Sequence, residues 1–528
     1  MTADTERQSS TRGPAQPSYI FRGHTAQIHS AQIVRRNTCL VTGDADGWVV
    51  YWELGSKRPF AVWQAHTGAI LGTAEWGPGK LITHGRDHTL RIWEFGATDA
   101  STLSTVLPAD GSYMHRAKPW LLHSIPVNTL NFCAFSMCYE EHALGLRSSG
   151  PASKTEHAPP ASSSEPILIA VPARDDKKIE IYQFPDEKLV AFVPRVEPTD
   201  TGMVMAVKLM LHQPSRRTLV VAGYEGGFTA AYLLPRNPTT DFEATRKSAP
   251  IEAQIFYLSQ SHTQPILSLD AAPDGTTYFT SSADAVIAAH RIPEFPFQDD
   301  MKRVATPTAE DPIAASEQAS DSKPGPPNVP EQTLPQSVET PQKQVESSTN
   351  LSPLPSQSSI PTPSPKQASA AKPSGLSLLL SSASLPKVKP PEPPALTTRT
   401  AQDPYKSVNT KHAGQQSLRV RSDGRLLVTG GWDSRVRIYS TRTLKEVAVL
   451  KWHKEGVYAA EFSKILEVED VIAQGDEDSN ADGVKDTTVV KRETGLSRLR
   501  RQREEQVQLK HWVVAGAKDG KVSLWEVF

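Results

Sequence analysis

The chain repeats one short pattern, in which an aspartate of a predicted tight turn is followed six positions later by an aromatic residue on a predicted strand. The pairs that fit it are Asp46 with Trp52, Asp87 with Trp93, Asp433 with Tyr439, and Asp519 with Trp525. Repeats of about 40 residues are single units that bury their apolar faces only by stacking on one another. The pattern therefore predicts an all-β fold, a WD-repeat β-propeller.

The spacing also predicts a buried hydrogen-bond series in each blade. A histidine before the first strand, a Ser or Thr on the second strand, the turn aspartate and the aromatic residue are linked, and a satisfied series makes the blade rigid. Two sets are complete: His24, Thr42, Asp46 and Trp52, and His66, Thr83, Asp87 and Trp93. Ser/His/Asp catalytic sets use similar residue types, but the repeated offset and the strand position of Thr favour a structural role.

Weaker copies bring the predicted number of blades to seven. The third blade is expected within residues 119–184, with LNFCAFS as its first strand and the pair Asp176 and Tyr182. The fourth blade has Glu225 in place of the turn aspartate and no aromatic residue at Ala231. In the later blades, Pro172 and Ala515 stand in place of the hydroxyl residue, and His290 stands in place of the aromatic residue. The members that keep the expected type are His262, Thr280, Asp284, His412, Thr429 and His453.

One predicted strand, residues 18–24, precedes the first blade, whereas the seventh blade lacks a fourth strand. We expect this N-terminal strand to complete the last blade, because closing the ring removes sheet edges that template aggregation. The propeller then comprises residues 18–297, with blades 1–5, and residues 405–528, with blades 6 and 7. Residues 1–17 are predicted to be a disordered N-terminal segment.

Seven blades account for roughly 300 residues, so this chain of 528 residues contains long insertions. The longest, residues 298–404, is rich in Pro, Ser and Thr and is predicted to be disordered. Its apolar run at 376–385 is either a docking motif or a local fluctuation in composition. A second insertion, residues 465–510, changes from acidic to basic along its length and is predicted to pair with itself or with a partner.

The positions of the insertions distinguish the two faces of the predicted ring. All of them are expected on one face, because they separate first from second or third from fourth strands: 96–117, 139–165, 236–250, 298–404 and 465–510. The opposite face, called the compact face here, is built from loops between blades and turns between second and third strands. Both faces are candidate binding surfaces, and the compact one is favoured. Its candidate partner-binding residues are Arg22, Trp48, Arg86, His88 and Trp432.

Composition favours an intracellular protein that acts through protein contacts. A net charge of −1 and a pI of about 7.0 provide no overall positive field, so direct nucleic-acid binding is not expected. The one strong basic run, residues 498–503, fits an import signal, a weak nucleic-acid contact or solvated surface. The sequence shows no apolar segment of the length that a membrane span or a signal peptide requires.

The sequence shows no motif of an enzyme. We find no phosphate-binding Gly loop, no HExxH and no GxSxG, and the three cysteines, Cys39, Cys133 and Cys138, lack metal-ligand spacing. Cysteines of this kind are typical of reduced packing residues. We therefore predict no catalytic residues, no cofactor and no metal site.

Several long segments resemble the fungal ASTRA-associated protein family. They are IFRGHTAQIHSAQIV, GDADGWVVYWEL, LITHGRDHTLRIWEF, KPWLLHSIPVNTLNFCAFSMC and the closing VVAGAKDGKVSLWEVF, and the resemblance extends over all predicted blades. It implies a non-catalytic scaffold in the nucleus, whose partners are protein subunits of an ASTRA-like chaperone-adaptor and chromatin assembly. The processes it implies are chromatin remodelling and the maturation of phosphatidylinositol-3-kinase-related kinases.

Two other functions of propellers were weighed against this one. A substrate receptor of a cullin-type ubiquitin ligase often has Trp-Asp followed by an Arg one residue further on, but here the corresponding runs are WELG at 52–55 and WEFG at 93–96. A G-protein-β-like signalling scaffold usually has an N-terminal helix, and residues 1–17 show no heptad pattern. Both functions remain alternatives that the sequence disfavours.

Overall fold

The computed structural model describes residues 15–96, 102–113, 116–129, 132–140, 165–235, 249–294, 400–469, 471 and 495–527. These residues form seven sheets, each built on four antiparallel strands. The first strands of most neighbouring sheets contact one another, so they line a central channel and the later strands lie further out. The predicted seven-bladed β-propeller is therefore confirmed.

The first three blades follow a short N-terminal strand, β1 (Tyr19–Phe21). Blade 1 contains β2 (Ile28–Val34), β3 (Cys39–Asp44), β4 (Trp48–Glu53) and β5 (Arg58–Gln64). Blade 2 contains β6 (Ile70–Glu75), β7 (Lys80–Gly85), β8 (Thr89–Glu94) and β9 (Trp120–Pro126). Blade 3 contains β10 (Ser136–Tyr139), β11 (Ile167–Pro172), β12 (Ile179–Phe184) and β13 (Lys188–Val193).

The last four blades repeat this arrangement. Blade 4 contains β14 (Val204–His212), β15 (Arg217–Tyr224), β16 (Phe228–Leu233) and, after the short β17 (Ile251–Glu252), β18 (Gln254–Gln260). Blade 5 contains β19 (Ile266–Ala271), β20 (Thr277–Ser282), β21 (Val286–Arg291) and β22 (Lys406–Asn409). Blade 6 contains β23 (Gln415–Val420), β24 (Leu426–Gly431), β25 (Arg435–Ser440) and β26 (Glu446–Lys451), and blade 7 contains β27 (Val457–Phe462), β28 (Trp512–Ala517) and β29 (Val522–Glu526).

The N-terminal strand closes the ring. β1 pairs antiparallel with β29, with Ile20 opposite Ser523, and so forms the outer strand of blade 7. Phe21 is buried in a cluster that joins blades 7 and 1, and its ring centroid lies 5.0 Å from that of Trp52. The first and last parts of the chain are thereby held in one sheet.

The first strand of blade 3 is displaced from its predicted position. Residues 130–136 were expected to form it, but β10 begins at Ser136. Phe132 has a positive φ of 32°, so the chain turns there instead of extending. Residues 132–135 of the expected strand therefore form a loop, and residues 130 and 131 lie outside the described residues.

Segments from the next blade cover the outer edges of three blades. The Val62 amide of β5 donates to the Ser104 carbonyl at 2.7 Å, and the Gln402 amide donates to the Leu258 carbonyl of β18 at 2.8 Å. On blade 3, β17 pairs in parallel with β13. The connections between the third and fourth strands of blades 2, 4 and 5 therefore satisfy backbone groups on the edges of blades 1, 3 and 4.

The expectation that insertion 96–117 stays on the face opposite the compact face is wrong. Residues 102–113 of this insertion follow β5 and reach the compact face, where the Ala109 amide donates to the Gly23 carbonyl at 2.7 Å. Leu103 and Ala109 are buried against blade 1, and this apolar burial holds the segment across the edge.

The other insertions lie mainly outside the described residues. In insertion 465–510, the described part includes helix α1 (Gly495–Gln508), which contains the basic run 498–503. The end of this helix is tied to blades 1 and 7, because Asn37 donates to the Gln508 carbonyl at 2.9 Å and the Trp512 indole donates to the Val507 carbonyl at 2.9 Å. No helix in the described part of the chain is long and apolar enough to span a membrane.

Candidate functional site

In blade 2 the four predicted residues form one continuous series. The His66 ring lies 2.8 Å from the Asp87 carboxylate through Nδ1 and 2.8 Å from the Thr83 hydroxyl through Nε2, and the Trp93 indole donates to Thr83 at 2.9 Å. Because a carboxylate only accepts, Nδ1 carries the proton and Nε2 accepts from Thr83. This arrangement satisfies all four buried groups and locks the blade.

Blade 1 uses a different aspartate from the one predicted. His24 contacts Thr42 at 2.7 Å, and Trp52 donates to Thr42 at 2.8 Å, but the acid partner at 2.7 Å from Nδ1 is Asp44. Asp46 is exposed on the turn, and its amide donates to Asp44 at 3.0 Å. The assignment of Asp46 to the series is therefore corrected to Asp44.

The neighbouring strand positions explain the difference between these two blades. In blade 2 the residue equivalent to Asp44 is Gly85, and a Cβ there would lie 2.3 Å from the His66 ring. The histidine therefore occupies the space above a glycine and reaches the turn acid. In blade 1 the Asp44 side chain fills the equivalent space and meets His24 first.

Burial and hydrogen bonding shift the pKa values of these groups in opposite senses. Burial lowers the pKa of His66, and the hydrogen bond to Asp87 only partly offsets it. Burial raises the pKa of Asp87, but hydrogen bonds from His66, Thr89 and the Thr67 amide outweigh it and leave the pKa below its usual range. At neutral pH the pair therefore consists of a neutral imidazole and a carboxylate.

In blade 7 the hydroxyl group of the series comes from a different strand. Ala515 occupies the predicted Thr position, and Ser523, its register partner on β29, bonds to His453 at 2.7 Å and accepts from Trp525 at 2.8 Å. Asp519 instead binds Lys521 at 2.7 Å. Nδ1 of His453 has no hydrogen-bond partner among the described residues, so the series here lacks its acid.

Blade 6 replaces the histidine by a glutamine. Thr429 donates to Gln415 at 2.6 Å, whereas His412 is half-exposed and lies 3.7 Å from Asp433. Asp433 accepts two hydrogen bonds from the Arg437 guanidinium. Tyr439 is buried at the predicted aromatic position.

Blades 4 and 5 use other aromatic residues. In blade 5, His290 takes the aromatic position and contacts Thr280 at 3.2 Å, while His262 contacts Thr280 at 2.8 Å. In blade 4 the sequence placed the aromatic position at Ala231, but the buried aromatic residue is Tyr232, whose hydroxyl lies 2.7 Å from that of Tyr224. Gly227, with a φ of 77°, matches Gly47 of blade 1, with a φ of 81°. The turn-aspartate position is therefore Gly226 instead of Glu225, and the aromatic residue six positions on is Tyr232.

Bulged residues surround the opening of the channel on the compact face. In six blades the register of the first and second strands skips one residue near the start of the first strand. All six are half-buried: His29, Leu71, Met205, Leu267, Gln416 and Tyr458. A bulge re-aims side chains and is common beside functional sites. The compact end of the channel is therefore surrounded by apolar, aromatic and amide groups.

Aromatic and cationic residues of blades 6, 7, 1 and 2, and of the loop between blades 2 and 3, continue this surface. We call Trp432, Tyr458, His29, Arg86 and Phe132 the mouth cluster. The His29 and Tyr458 rings lie 5.8 Å apart, and the Arg86 guanidinium lies 4.0 Å above the Phe132 ring. Trp432 is 49% exposed, and Phe132 is 58% exposed. This arrangement suits partner recognition, since exposed Trp, Tyr and Arg often carry most of the binding energy of an interface.

Trp432 is held in place although half of it faces solvent. Its indole nitrogen donates to the Gln416 side chain at 2.9 Å. A Cβ on Gly414 would lie 2.1 Å from the Trp432 ring, so the ring rests directly on the Gly414 backbone, which has a φ of 71°. A fixed aromatic side chain loses little conformational entropy on binding.

The five candidate partner-binding residues have different surroundings. Arg86 and Trp432 belong to the mouth cluster, and Arg22 is exposed near Gly23. His88 is exposed but contacts Thr129 at 2.9 Å. Trp48 was expected to be exposed, and it is only 7% exposed, because Arg116 of the blade 2 connection lies 5.0 Å over its ring. Trp48 is therefore a packing residue.

Inside the channel, four consecutive blades place alternating charges at equivalent positions of their first strands. Lys208 binds Asp270 at 2.7 Å, and Arg419 lies 3.4 Å from Glu461. Burial raises the pKa of Glu461 to about 7, with Asp270 adding to the shift and Arg419 and Lys208 opposing it. In the described part of the chain no group of three or more His, Cys, Asp or Glu side chains is arranged to hold a metal ion.

Comparison with known proteins identifies the family. The model of the family described as ASTRA-associated protein 1 matches residues 17–525. The chain belongs to the ASTRA-associated protein 1 family. A relative from Aspergillus niger with that name is 36% identical over 534 residues, 98% of each chain. Another from Pyricularia oryzae is 37% identical over 529 residues, again 98% of each chain. One from Schizosaccharomyces pombe is 25% identical over 477 residues, 84% of this chain and 93% of the relative.

Sequence reasoning missed part of the surface that this family member presents. His29, Tyr458 and Phe132 were not singled out, because each lies at a first-strand bulge or in the loop wrongly assigned as a strand. One sequence signal was available: an aromatic or polar residue interrupts the apolar alternation directly after Ile28 and Val457. Their assembly into one cluster follows from the closure of the ring.

Proposed function

We propose that this chain is a non-catalytic scaffold subunit of an ASTRA-associated complex, that it acts in the nucleus, and that its work concerns chromatin remodelling and the maturation of phosphatidylinositol-3-kinase-related kinases. The family match over residues 17–525 carries the proposal. Relatives in Aspergillus niger and Pyricularia oryzae that are called ASTRA-associated protein 1 align over nearly their full lengths. The partners are then protein subunits of that complex.

The propeller has the mechanical properties of a scaffold. Buried polar series fix the blades, and clusters of apolar side chains pack between neighbouring blades. A preformed surface binds without a large loss of conformational freedom. We assign subunit binding to the compact face, because the half-exposed Trp432 is held there by Gln416 and Gly414.

Native purification of the tagged full-length chain, followed by mass spectrometry, tests the proposal. A parallel version carries a short Gly/Ser linker in place of residues 298–404. Recovery of the same complex subunits with both proteins supports a scaffold that binds through the propeller. Loss only with the shortened protein moves binding to the insertion, and recovery of cullin adaptors or signalling proteins instead contradicts the proposal. Fluorescence microscopy of the tagged chain tests the nuclear location.

A further inference from the structure

The charges of the compact face are unevenly distributed. On blades 6, 7, 1 and 2 the exposed cations without an ion pair among the described residues are Arg22, Arg86, Lys411, Lys454 and Lys518, and the corresponding carboxylates are Asp46 and Glu455. The other aspartates at these turns are neutralised, Asp87 by Arg91, Asp433 by Arg437 and Asp519 by Lys521. This half of the face is therefore basic, and it contains the mouth cluster.

The opposite half of the same face has a slight excess of negative charge. On blades 3 and 4 the cations Lys177, Lys178 and Arg195 contact the carboxylates Asp200 and Asp175. The other charged groups at these turns are Arg174, Asp176, Glu197 and Glu225, so five carboxylates stand against four cations. A ligand with negative charge spread over its whole length would meet repulsion here, whereas a ligand with locally concentrated negative charge would not.

We propose that the mouth cluster and the cations around it bind an acidic segment of a partner protein that also carries an aromatic or large apolar side chain. Arg86 receives a carboxylate of that segment through its guanidinium, which presents donors in a planar fork. Trp432 and Tyr458 receive the apolar side chain. The inference rests on the proposed function, since it specifies the chemistry of the partner segment at the same face.

The geometry of Arg86 supports this role. Its guanidinium lies 4.0 Å from the centre of the Phe132 ring, a cation–π contact that holds the side chain in place. Arg86 forms no ion pair with a described residue, so its charge can receive a carboxylate. Burial lowers the pKa of His29, Asp44 opposes this shift, and the charge of Arg86 adds to it. Arg86 is therefore near the part of the mouth where the His29 and Tyr458 rings lie 5.8 Å apart.

A nucleic acid is the competing ligand, because stacking residues beside cations also bind single strands. The half of the face with excess negative charge disfavours it, since a continuous phosphate backbone crossing the mouth meets Glu225, Glu197 and Asp176. A protein segment, unlike a phosphate backbone, can carry acidic residues at some positions and neutral residues at others. The observations therefore favour the protein ligand.

The molecule offers a matched control for the Arg86 and Phe132 pair. Arg291 lies 4.2 Å over the ring of Tyr405, and Tyr405 is 60% exposed, close to the 58% of Phe132. Arg291 is the last residue of β21 and Tyr405 directly precedes β22, so this second pair lies at the end of blade 5 that is remote from the compact face. The two pairs share chemistry and exposure and differ in location.

The experiment introduces the photo-cross-linker p-benzoylphenylalanine at Phe132 in the full-length chain, and at Tyr405 as the control, in cells. Mass spectrometry then maps the cross-linked peptides. We expect position 132, and not 405, to cross-link to a segment rich in Asp and Glu with a nearby aromatic or large apolar residue. We expect Arg86→Glu to reduce this product at least 10-fold, and Arg291→Glu to leave it within 2-fold.

Three outcomes overturn the inference: cross-links to segments without acidic residues, cross-links to nucleic acid, or an unchanged yield with Arg86→Glu. Circular dichroism of Arg86→Glu checks that the exposed substitution leaves the fold intact. If the tagged protein still recovers the complex while these tests fail, the proposed function stands and the site is wrong. If no complex is recovered with the wild-type chain, the proposed function fails before the site is tested.

Discussion

Blades 2 and 7 are built on the same pattern and are held together differently. In blade 2 the turn acid, the histidine, the Thr hydroxyl and the Trp indole are in one series. In blade 7 the acid faces Lys521, and the hydroxyl comes from Ser523 on β29 instead of β28. A similar sequence therefore allows two hydrogen-bond arrangements, and both keep a hydroxyl group between the histidine and the tryptophan.

The turn acids should show the largest difference between the two blades. Asp87→Ala removes the partner of His66, Thr89 and the Thr67 amide, and we expect it to lower the free energy of unfolding by about 4 kcal/mol. Asp519→Ala removes a partly exposed contact with Lys521 and should cost less than about 0.5 kcal/mol. Urea unfolding of the two variants measures both values. Equal losses would contradict the different hydrogen-bond arrangements assigned to blades 2 and 7.

Removal of the central hydroxyl should have the next largest effect. Thr83→Val keeps the shape of the side chain but leaves His66 and Trp93 without their shared partner, and we expect a loss of about 3 kcal/mol. Thermal and urea unfolding measure it. A loss below about 1 kcal/mol would show that the blade 2 series contributes little to stability.

In blade 7 the hydroxyl should be transferable between strands. Ser523→Ala deprives His453 and Trp525 of a shared partner and should cost about 2 kcal/mol. Ala515→Thr added to it places a hydroxyl at the position that Thr83 has in blade 2, on the register partner of residue 523. We expect the double variant to recover at least half of the loss in urea unfolding. No recovery would mean that β29 alone can supply the hydroxyl.

The smallest effect concerns acid sensitivity. Burial lowers the pKa of His453 to about 4, with Asp519 opposing the shift. The unfolded chain, with a histidine pKa of about 6.5, binds a proton that the folded chain does not bind, so stability falls as the pH falls from 6.5 towards 4. Between pH 6.5 and 5.5 this residue should account for about 1 kcal/mol.

The measurement compares the slopes of unfolding free energy against pH for the wild-type chain and His453→Gln. The variant should lose stability less steeply as the pH falls, because its blade 7 no longer contains a histidine that must stay neutral. Other buried histidines, such as His84 and His290 with pKa values of about 3, contribute equally to both slopes. Identical slopes would contradict the assigned role of His453.

The edges of the blades show which features the sequence could predict. The repeat of Asp and aromatic residues, together with its weaker copies, predicted seven blades, and the position of residues 18–24 predicted a closing strand; the structure confirms both. The sequence did not predict that residues 102–113 cross β5, because the apolar residues Leu103, Leu107 and Ala109 of this connection do not alternate with polar residues as in a strand. Their burial depends on the neighbouring blade, which no local pattern describes.

The binding surface was only partly visible in the sequence. Arg86 and Trp432 were named because turns on the compact face are exposed, and the same reasoning named Trp48, which lies beneath Arg116. Exposure depends on what a distant segment covers, so turn composition alone gave one of these three residues wrongly. The His29 and Tyr458 rings meet only because blades 1 and 7 are neighbours in the closed ring, and Phe132 meets Arg86 only because the loop into blade 3 passes the turn of blade 2.

The sequence by itself determined the all-β class, the number of blades and the residue types of the hydrogen-bond series in blades 1 and 2, because these depend on local periodicity and on spacing within one repeat. The tertiary structure decided which acid, Asp44 or Asp46, meets His24, which strand supplies the hydroxyl in blade 7, and where the mouth cluster forms. These outcomes depend on distances between side chains on different strands and blades. Packing fixes such distances to fractions of an ångström, and one residue of spacing along the chain cannot specify them.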